Sequence, residues 1–352
     1  MLAEILKWRL QPKEKRLPLY LVVFVTYRCN SRCRTCFYSS QLTKPTAADL
    51  PLEFYIKLAK TLNHLAWLHL SGGEPFLRQD LPQLVQAFYQ YAGVRKIGIP
   101  TNALQGSLIE EATEQILDLC PEAQLNIVVS LDGMEGTHDY LRGVTGNWQK
   151  TLETIEALKK VRARNQRLSI NVCTVLNNRN EAEIPELLEF VKTLGVNFHD
   201  VGMLRGDFPD KSLELPSIER VKEVLALVQK NASLYYAANH NYPGFMRKFA
   251  ARVHRYLNST FVRFLSTGIP SQLCLAGDGF AVVEPNGDVK ICELTPALGN
   301  LKDFDGNFAS FWRQDKIKEL RRNGLCEQGG CTHSNFQTRN FLLNPWQWWK
   351  VL

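Results

Sequence analysis

The sequence predicts an α/β protein whose main part is an open, partial (β/α)6 barrel. Strand-like and helix-like segments alternate six times between residue 19 and about residue 231. This alternation is typical of a parallel sheet with its helices outside. Six units are too few for a closed eight-stranded barrel. The strand segments are apolar and rich in β-branched residues, so we expect them to be buried on both faces.

The predicted elements follow one another in a regular order after a short basic helix in residues 1–18. The predicted strands are 19–26, 66–73, 94–102, 125–133, 167–178 and 198–206. The predicted helices are 52–65, 81–93, 107–120, 147–164, 181–195 and 217–230. The second helix ends at a glycine and the third opens with a serine cap, as helices commonly do. The barrel is therefore predicted to span residues 19–232.

The cellular compartment is predicted from what the sequence lacks. No apolar run approaches the ~18 residues needed to cross a bilayer, and the N-terminus has no signal-peptide core or cleavage site. A reducing cytoplasm is expected, where cysteines are metal ligands or core thiols rather than disulfides. Of the nine cysteines, Cys120 and Cys173 fall at a helix end and within a strand, where we expect small buried side chains.

Three cysteines follow the first predicted strand in the arrangement C-x3-C-x2-C. They are Cys29, Cys33 and Cys36. A structural zinc site would need a fourth ligand nearby, and the sequence has none close to them. Three thiolates can instead hold three irons of a [4Fe–4S] cluster and leave the fourth iron open to a substrate or cofactor. A zinc or redox-inert knuckle is the alternative interpretation.

Other unusual motifs also lie where predicted strands end. SGGEP covers residues 71–75, PTN covers 100–102, and SLDG covers 130–133. The carboxyl ends of parallel strands meet at one edge of a barrel, which is where chemistry gathers in such folds. We therefore expect these motifs and the cysteine triplet to lie together.

The cysteine triplet, SGGEP, SLDG and HDYLRG (138–143), in this order, resemble the radical S-adenosylmethionine (radical SAM) superfamily. The resemblance extends from residue 19 to about residue 335. It implies a TIM-like partial barrel in which the open iron chelates the amino and carboxylate groups of SAM. One electron then cleaves SAM to methionine and a 5′-deoxyadenosyl radical, which abstracts hydrogen from the substrate. The resemblance also implies a low-potential electron donor such as flavodoxin or ferredoxin.

The resemblance implies roles for residues around the cofactor. The implied cofactor-binding residues are Phe37, Tyr38, Gly72, Gly73, Glu74, Asn102, Ser130, Asp132, Arg142 and Met203. The glycines would approach the SAM amino group, and Glu74 would hold the loop or the ammonium. Ser130 and Arg142 would bind the ribose and carboxylate, unless they are a helix cap and a surface ion pair. Met203 or Leu204 would lie near adenine.

Two positions depart from the family pattern. The residue before the third cysteine is commonly aromatic and packs on adenine, whereas this sequence has Thr35 there. Phe37 or Tyr38 would then have to supply the aromatic ring. The family's T-N-G strand end is matched by Asn102, but Ala103 replaces the glycine.

Residues 274–335 predict a small α+β module. A hairpin around PNGD spans 274–292, and a helical stretch covers 308–323. The module resembles the twitch domain, a shortened SPASM domain that follows many radical SAM cores. This implies one auxiliary [4Fe–4S] cluster with four ligands, namely Cys274, Cys292, Cys326 and Cys331. His333 is an alternative last ligand, and a zinc site on the same cysteines is the alternative to the cluster.

The resemblance favours an oxidoreductase acting on an unidentified substrate. The auxiliary cluster would accept an electron from the substrate radical, and a nearby carboxylate would take the proton. Glu293, which follows Cys292, is the predicted base, and Asp278 on the same hairpin is the second candidate. The alternatives are a peptide maturase that crosslinks or epimerises its substrate, and a cluster- or zinc-holding scaffold without turnover. No nucleic-acid partner is predicted.

The segment 233–273 carries much of the excess positive charge. The net charge is +7, and no acidic residue occurs between Glu223 and Asp278. One interpretation is a bridging helix with a solvated basic face. The other is a site for something acidic, such as a phosphorylated small molecule, an acidic peptide or a lipid surface. The aromatic tail 336–352 would cover the barrel mouth or contact a membrane surface.

Overall fold

The computed structural model describes residues 2–42, 49–238, 244–270, 274–322 and 333–352. Within these residues one sheet is formed by β1 Tyr20–Phe24, β2 Trp67–Ser71, β3 Lys96–Thr101, β4 Gln124–Ser130, β5 Leu168–Leu176, β6 Phe198–Met203, β7 Phe280–Val283, β8 Asp288–Lys290 and β9 Gly299–Asn300. Across the sheet the strands run in the order β6-β5-β4-β3-β2-β1-β7-β8-β9.

Helices follow each of the first six strands. In chain order the described helices are α1 Leu2–Leu10, which precedes β1, and α2 Leu52–Thr61, α3 Leu81–Tyr91, α4 Gly106–Leu119, α5 Glu135–Arg142, α6 Asn147–Arg164, α7 Ile184–Thr193, α8 Ile218–Ala238, α9 Gly244–Thr267, α10 Phe308–Trp312, α11 Asp315–Arg322 and α12 Ser334–Leu342. No helix among the described residues is both long enough and apolar enough to cross a bilayer.

The first six strands are parallel and lie side by side in chain order. This arrangement confirms the predicted α/β class and the partial TIM-like barrel. β7 pairs with β1 in parallel, and β8 and β9 continue antiparallel from it. The hairpin predicted in the C-terminal part therefore extends the same sheet beyond β1.

The two faces of the barrel differ in polarity. In β3 to β6 buried and half-buried residues alternate along each strand. The register places Ser130, Cys173 and Asp200 in one row on the half-buried face, which is the inside of the barrel. The expectation that all six strands are buried on both faces is therefore wrong, because an open barrel leaves its inner face partly accessible.

The C-terminal helix α12 packs against the inner face near the start of β1. The Phe336 ring lies 5.9 Å from the Tyr20 ring and 5.3 Å from the Phe280 ring, measured between centroids. The long helix α9 packs on α8 and on α12. It buries Val253, Leu257, Thr260 and Phe261 and leaves its basic side chains outward. This packing agrees with the bridging-helix interpretation of the basic segment.

The cysteine loop, residues 25–42, is held on one side by the glycines after β2. Gly73 N donates to Thr26 O at 2.9 Å, and Glu74 N donates to Arg28 O at 2.8 Å. A Cβ atom on Gly73 would lie 2.1 Å from the Arg28 carbonyl oxygen. The backbones are therefore in direct contact, and only glycine fits at this position.

The end of α5 holds the loop from the other side. The last carbonyl groups of a helix have no partners within the helix. Here Arg32 N donates to Arg142 O at 3.2 Å, and Arg34 N donates to Leu141 O at 2.8 Å. Gly143 ends α5 in the left-handed conformation with a φ of 64°. The loop therefore serves as the carboxyl-terminal cap of α5.

We expect Gly73→Ala to destabilise the metal-free, reduced protein by about 2 kcal/mol or more, because its Cβ overlaps a backbone oxygen that cannot rotate away. Urea unfolding followed by circular dichroism measures the change. Gly136→Ala is the matched control, since no atom lies within 4 Å of the added Cβ. Alanine in α5 should raise stability by up to about 1 kcal/mol. Equal stabilities of the two variants would contradict the close contact at Gly73.

Candidate active site

The three predicted cluster ligands lie together in the loop after β1. Cys29, Cys33 and Cys36 are all partly buried. Burial raises the pKa of the Cys29 thiol and raises that of Cys36 to about 11. Metal binding would therefore have to release protons from these thiols. Within the described ranges no three His, Cys, Asp or Glu side chains surround a position for a single metal ion.

Polar groups around the thiols fit sulfur ligands of a cluster. Ser31 N donates to Cys29 Sγ at 3.4 Å, and Ser31 Oγ lies 3.2 Å from Cys33 Sγ. Asn102 Nδ2 donates to Cys29 Sγ at 3.8 Å and to Asn30 Oδ1 at 2.7 Å. Hydrogen bonds to cysteine sulfur are one means by which proteins adjust an iron–sulfur cluster.

Arg142 lies beside the thiols and has an unused donor. Burial alone would lower the pKa of Arg142, but the Cys33 thiol and the Asp132 carboxylate together raise it. Its Nη1 donates to Asp132 Oδ2 at 3.1 Å. Its Nε is buried and has no hydrogen-bond partner among the described residues. A buried donor of this kind normally meets an acceptor, so Arg142 fits a ligand carboxylate next to the cluster.

Asp132 and Ser130 have different surroundings at the end of β4. Asp132 is buried; besides the bond from Arg142, its Oδ1 accepts from Val175 N at 2.9 Å. Both carboxylate oxygens thus bond to protein groups, and Asp132 positions Arg142. Ser130 ends β4 on the partly accessible inner face, where a hydroxyl can reach a ligand.

Glu74 is a buried link between the ends of β2 and β3. Its Oε1 accepts from Thr101 Oγ1 at 2.9 Å and from Phe76 N at 3.3 Å, and its Oε2 accepts from Asn102 N at 2.7 Å. Burial raises the pKa of Glu74 to about 7, although these hydrogen bonds act to lower it. These hydrogen bonds are consistent with the predicted loop-holding role of Glu74, and its contact with the SAM ammonium stays a prediction.

The two glycines before Glu74 face the cysteine loop. At Gly72, whose φ is 150°, a Cβ would lie 2.7 Å from Thr26 O. The backbone of the cysteine loop therefore fills the space that a side chain at either glycine would need. The predicted approach of Gly72 and Gly73 to the SAM amino group stays a prediction.

The end of β3 explains one departure from the family pattern. Ala103 has a φ of 62°, in the left-handed region that favours glycine. The backbone at Ala103 therefore takes a conformation that favours glycine, although this chain has alanine there. Ala103 is fully buried, and its carbonyl accepts from Thr154 Oγ1 at 2.8 Å.

The two aromatic candidates for adenine differ in position. Tyr38 is 5% exposed, its hydroxyl donates to Glu284, and its ring lies 4.5 Å from that of Phe24. Tyr38 is a core residue, which does not fit the predicted contact with adenine. Phe37 is partly accessible, and the Arg205 guanidinium lies 4.6 Å from its ring centroid. Phe37 is the better placed of the two.

The Met203 side chain at the end of β6 does not lie on the accessible inner face of the barrel. Met203 pairs with Leu176 and is 3% exposed within the main core, and Leu204 is also buried. Neither side chain is placed on the accessible inner face, so an adenine contact by Met203 is not supported. Gly202 is the β6 residue on the inner face at this level.

Arg205, which sequence reasoning missed, pairs with the predicted base Glu293. Arg205 Nη2 lies 2.7 Å from Glu293 Oε2, and His333 Nε2 lies 3.2 Å from the same oxygen. Burial and Arg205 lower the pKa of His333. Burial alone would raise the pKa of Glu293, but these two neighbours lower it, and Arg205 is the cation that keeps the carboxylate ionised. The available signal was a charged residue at the carboxyl end of the sixth predicted strand.

Asp278, the second predicted base, lies elsewhere. It precedes β7 and pairs with Arg16 at 3.5 Å, and the neighbouring Gly279 O accepts from Leu19 N at 3.0 Å. This is the amino-terminal end of β1, whereas the cysteine loop follows its carboxyl end. The predicted catalytic role of Asp278 is therefore not supported.

The predicted auxiliary ligands are only half described. Cys274 is exposed before β7, and Cys292 is buried after β8. Cys326 and Cys331 lie outside the described residues. His333, the alternative ligand, stacks on Phe336 with 4.4 Å between ring centroids and pairs with Glu293.

Known proteins share this fold and sequence pattern. Residues 23–191 match the family model of the radical SAM superfamily. An AdoMet-dependent heme synthase of Methanosarcina barkeri is 27% identical over 321 residues, covering 86% of each chain. A GTP 3',8-cyclase of Marinobacter nauticus is 30% identical over 224 residues, 62% of this chain and 64% of the cyclase. The chain thus spans less than two thirds of that cyclase.

The fold is also that of a solved structure. Streptococcus suis SuiB bound to S-adenosylmethionine superimposes with a TM-score of 0.61 at 16% identity, over 91% of this chain and 70% of SuiB. This likeness concerns the fold. Together with the three cysteines after β1, the matched family model leads to one conclusion: residues 23–191 form a domain of the radical SAM superfamily, whose members bind SAM and a [4Fe–4S] cluster.

Proposed function

We propose that this protein is a radical SAM oxidoreductase. It cleaves SAM reductively, and the resulting 5′-deoxyadenosyl radical abstracts a hydrogen atom from the substrate. The substrate radical then loses one electron and one proton, so that the substrate is oxidised by two electrons. The observation that carries SAM binding, on which the proposal depends, is the buried, unpartnered Nε of Arg142 beside the thiols.

The residues at the mouth of the barrel would divide the work of binding SAM. Cys29, Cys33 and Cys36 would hold a [4Fe–4S] cluster, which supplies the cleaving electron when bound. Arg142, oriented by Asp132, would bind the SAM carboxylate through its free donor. Ser130 on the inner face would bind the ribose, and the ring of Phe37 would pack on adenine.

The auxiliary cysteines support the oxidative outcome. Because β8 runs antiparallel to β7, the hairpin returns the chain toward the end of β7 at which Cys274 enters. This brings Cys292 toward Cys274. We propose that both, with Cys326 and Cys331, hold one auxiliary [4Fe–4S] cluster that accepts the second electron.

Glu293 would take the proton in the oxidation. Its carboxylate carries no proton, although the ion pair with Arg205 that lowers its pKa also makes it a weaker base. Arg205 also lies over Phe37, so Glu293 is connected to the cysteine loop through two contacts. The heme synthase relative, which matches over 86% of each chain, supports an enzyme of this overall organisation.

The first prediction tests SAM cleavage. Reconstituted anaerobically and given SAM with a low-potential reductant, the protein should release 5′-deoxyadenosine. The Cys29/Cys33/Cys36→Ala variant should release none, because the ligands of the SAM-binding cluster are gone. The control is Cys120→Ala, which changes a fully buried cysteine at the end of α4 and should retain cleavage. Cleavage by the triple variant would refute the proposal.

The second prediction concerns iron content. The reconstituted protein should hold about eight irons and the Cys29/Cys33/Cys36→Ala variant about four, four for each cluster. Colorimetric iron and sulfide analysis measures both values. A Cys274→Ala/Cys292→Ala variant should also retain about four irons and keep SAM cleavage. Loss of all iron from the Cys29/Cys33/Cys36→Ala variant would show that the protein holds only one cluster.

The third prediction separates hydrogen abstraction from oxidation. With deuterated substrate, Glu293→Gln should still move deuterium into 5′-deoxyadenosine but form at least about tenfold less oxidised product, because an amide cannot accept the proton. Mass spectrometry of both products gives the comparison. Asp278→Asn, which pairs with Arg16 and lies away from the cysteine loop, should match the wild type. Full product yield from Glu293→Gln would exclude it as the base.

A further inference from the structure

The turn after α12 holds large apolar side chains outward. Trp346 is 81% exposed, Trp349 73% and Leu352 79%. Trp348, between the two tryptophans, points inward: its ring lies 5.9 Å from that of Phe249, and its Nε1 donates to Phe341 O at 3.1 Å. Because Trp348 anchors the turn, the indoles on either side are kept at the surface.

Helix α9 fixes this turn and extends the same surface. Arg252 Nη1 donates to Leu352 O at 2.7 Å, and Lys350 Nζ lies 5.6 Å from the ring centroid of Tyr256. In the first turn of α9, one turn before Phe249, Phe245 is 73% exposed. The tail and α9 thus form one surface, which we call the aromatic–basic surface.

The charge on the aromatic–basic surface has one sign. No acidic residue occurs in 224–277 or in 333–352. The exposed cations on α9 and the tail are Lys248, Arg252, Arg255, Arg263 and Lys350. A surface with exposed indoles and cations but no acidic side chain on α9 or the tail is complementary to a negatively charged, partly apolar partner.

We propose that the aromatic–basic surface docks on an anionic lipid bilayer. Tryptophan is enriched at the headgroup level of membranes, where its indole is both buried and hydrogen-bonded. Each Lys or Arg near an anionic bilayer adds about 1 kcal/mol of attraction. A second copy of this chain would bring like charges together, which disfavours a dimer through this surface.

The position of the surface is compatible with an accessible active site. Helix α12 begins next to His333, which pairs with Glu293. The helix ends next to α1, where Arg9 Nε donates to Leu343 O at 2.8 Å. This is the amino-terminal end of β1 and β7, whereas the cysteine loop follows the carboxyl end of β1. A docked molecule would therefore keep the cysteine loop away from the bilayer.

Vesicle binding tests the docking. We expect the protein to sediment with phosphatidylcholine vesicles containing about 30% phosphatidylglycerol at about 0.1 M salt, and to dissociate at about 0.5 M salt. Phosphatidylcholine vesicles alone should bind at least about tenfold less. Lipids with brominated chains should quench the tryptophan fluorescence, because the two outward indoles enter the interface.

Two variants and their controls separate the aromatic and the charge contributions. Trp346→Ser/Trp349→Ser should lose the quenching, and Lys248→Glu/Arg255→Glu should weaken binding at least about tenfold. The controls Tyr91→Ser and Lys160→Glu/Lys302→Glu, at exposed positions outside this surface, should bind like the wild type. Wild-type protein that stays in solution with every vesicle overturns the proposal. So does a concentration-dependent dimer that Trp346→Ser/Trp349→Ser abolishes.

Discussion

The direct contact between two backbone segments at the mouth of the barrel is the constraint on which the site depends. The chain after β2 runs so close to the cysteine loop that no side chain fits at Gly73. The carboxyl end of α5 then receives the loop's N–H groups on the other side. Three thiols on an eight-residue stretch are thereby held without any help from the metal. The ligand geometry is a property of β2 and α5 as much as of the loop.

Three buried carboxylates lie at this edge of the barrel, and each has hydrogen-bond or ion-pair partners within the protein. Glu74 is satisfied by two backbone N–H groups and one hydroxyl, Asp132 by Arg142, and Glu293 by Arg205 and His333. Burial raises the pKa of Glu74 to about 7. The raised pKa means that its contribution to stability is full at low pH and is lost as the pH rises through about 7. The pKa of Glu293 is lowered instead, so its contribution persists at neutral pH and is lost only in strong acid.

The sequence predicted those features that depend on local pattern. Six apolar segments became six parallel strands in chain order, and the motifs at their ends met at one edge because parallel strands point the same way. The predictions that the structure does not support depend on strand register and on contacts between residues far apart in the sequence. A shift of one residue decides whether a side chain faces the inside of the barrel or the helices, so the sequence alone could not show that Met203 is buried in the core. The hydroxyl of buried Tyr38 donates a hydrogen bond to Glu284, which is 246 residues away in the sequence.

The C-terminal part completes the barrel rather than standing beside it. β7 extends the sheet from β1, α12 packs on the inner face through Phe336, and His333 reaches the carboxylate of Glu293. Glu293 in turn pairs with Arg205 at the end of β6, so the two edges of the open barrel are joined through one ion pair. A closed barrel joins its edges by strand hydrogen bonds. Here the ion pair between Arg205 and Glu293 links them instead, so the C-terminal part of the chain helps to close the barrel.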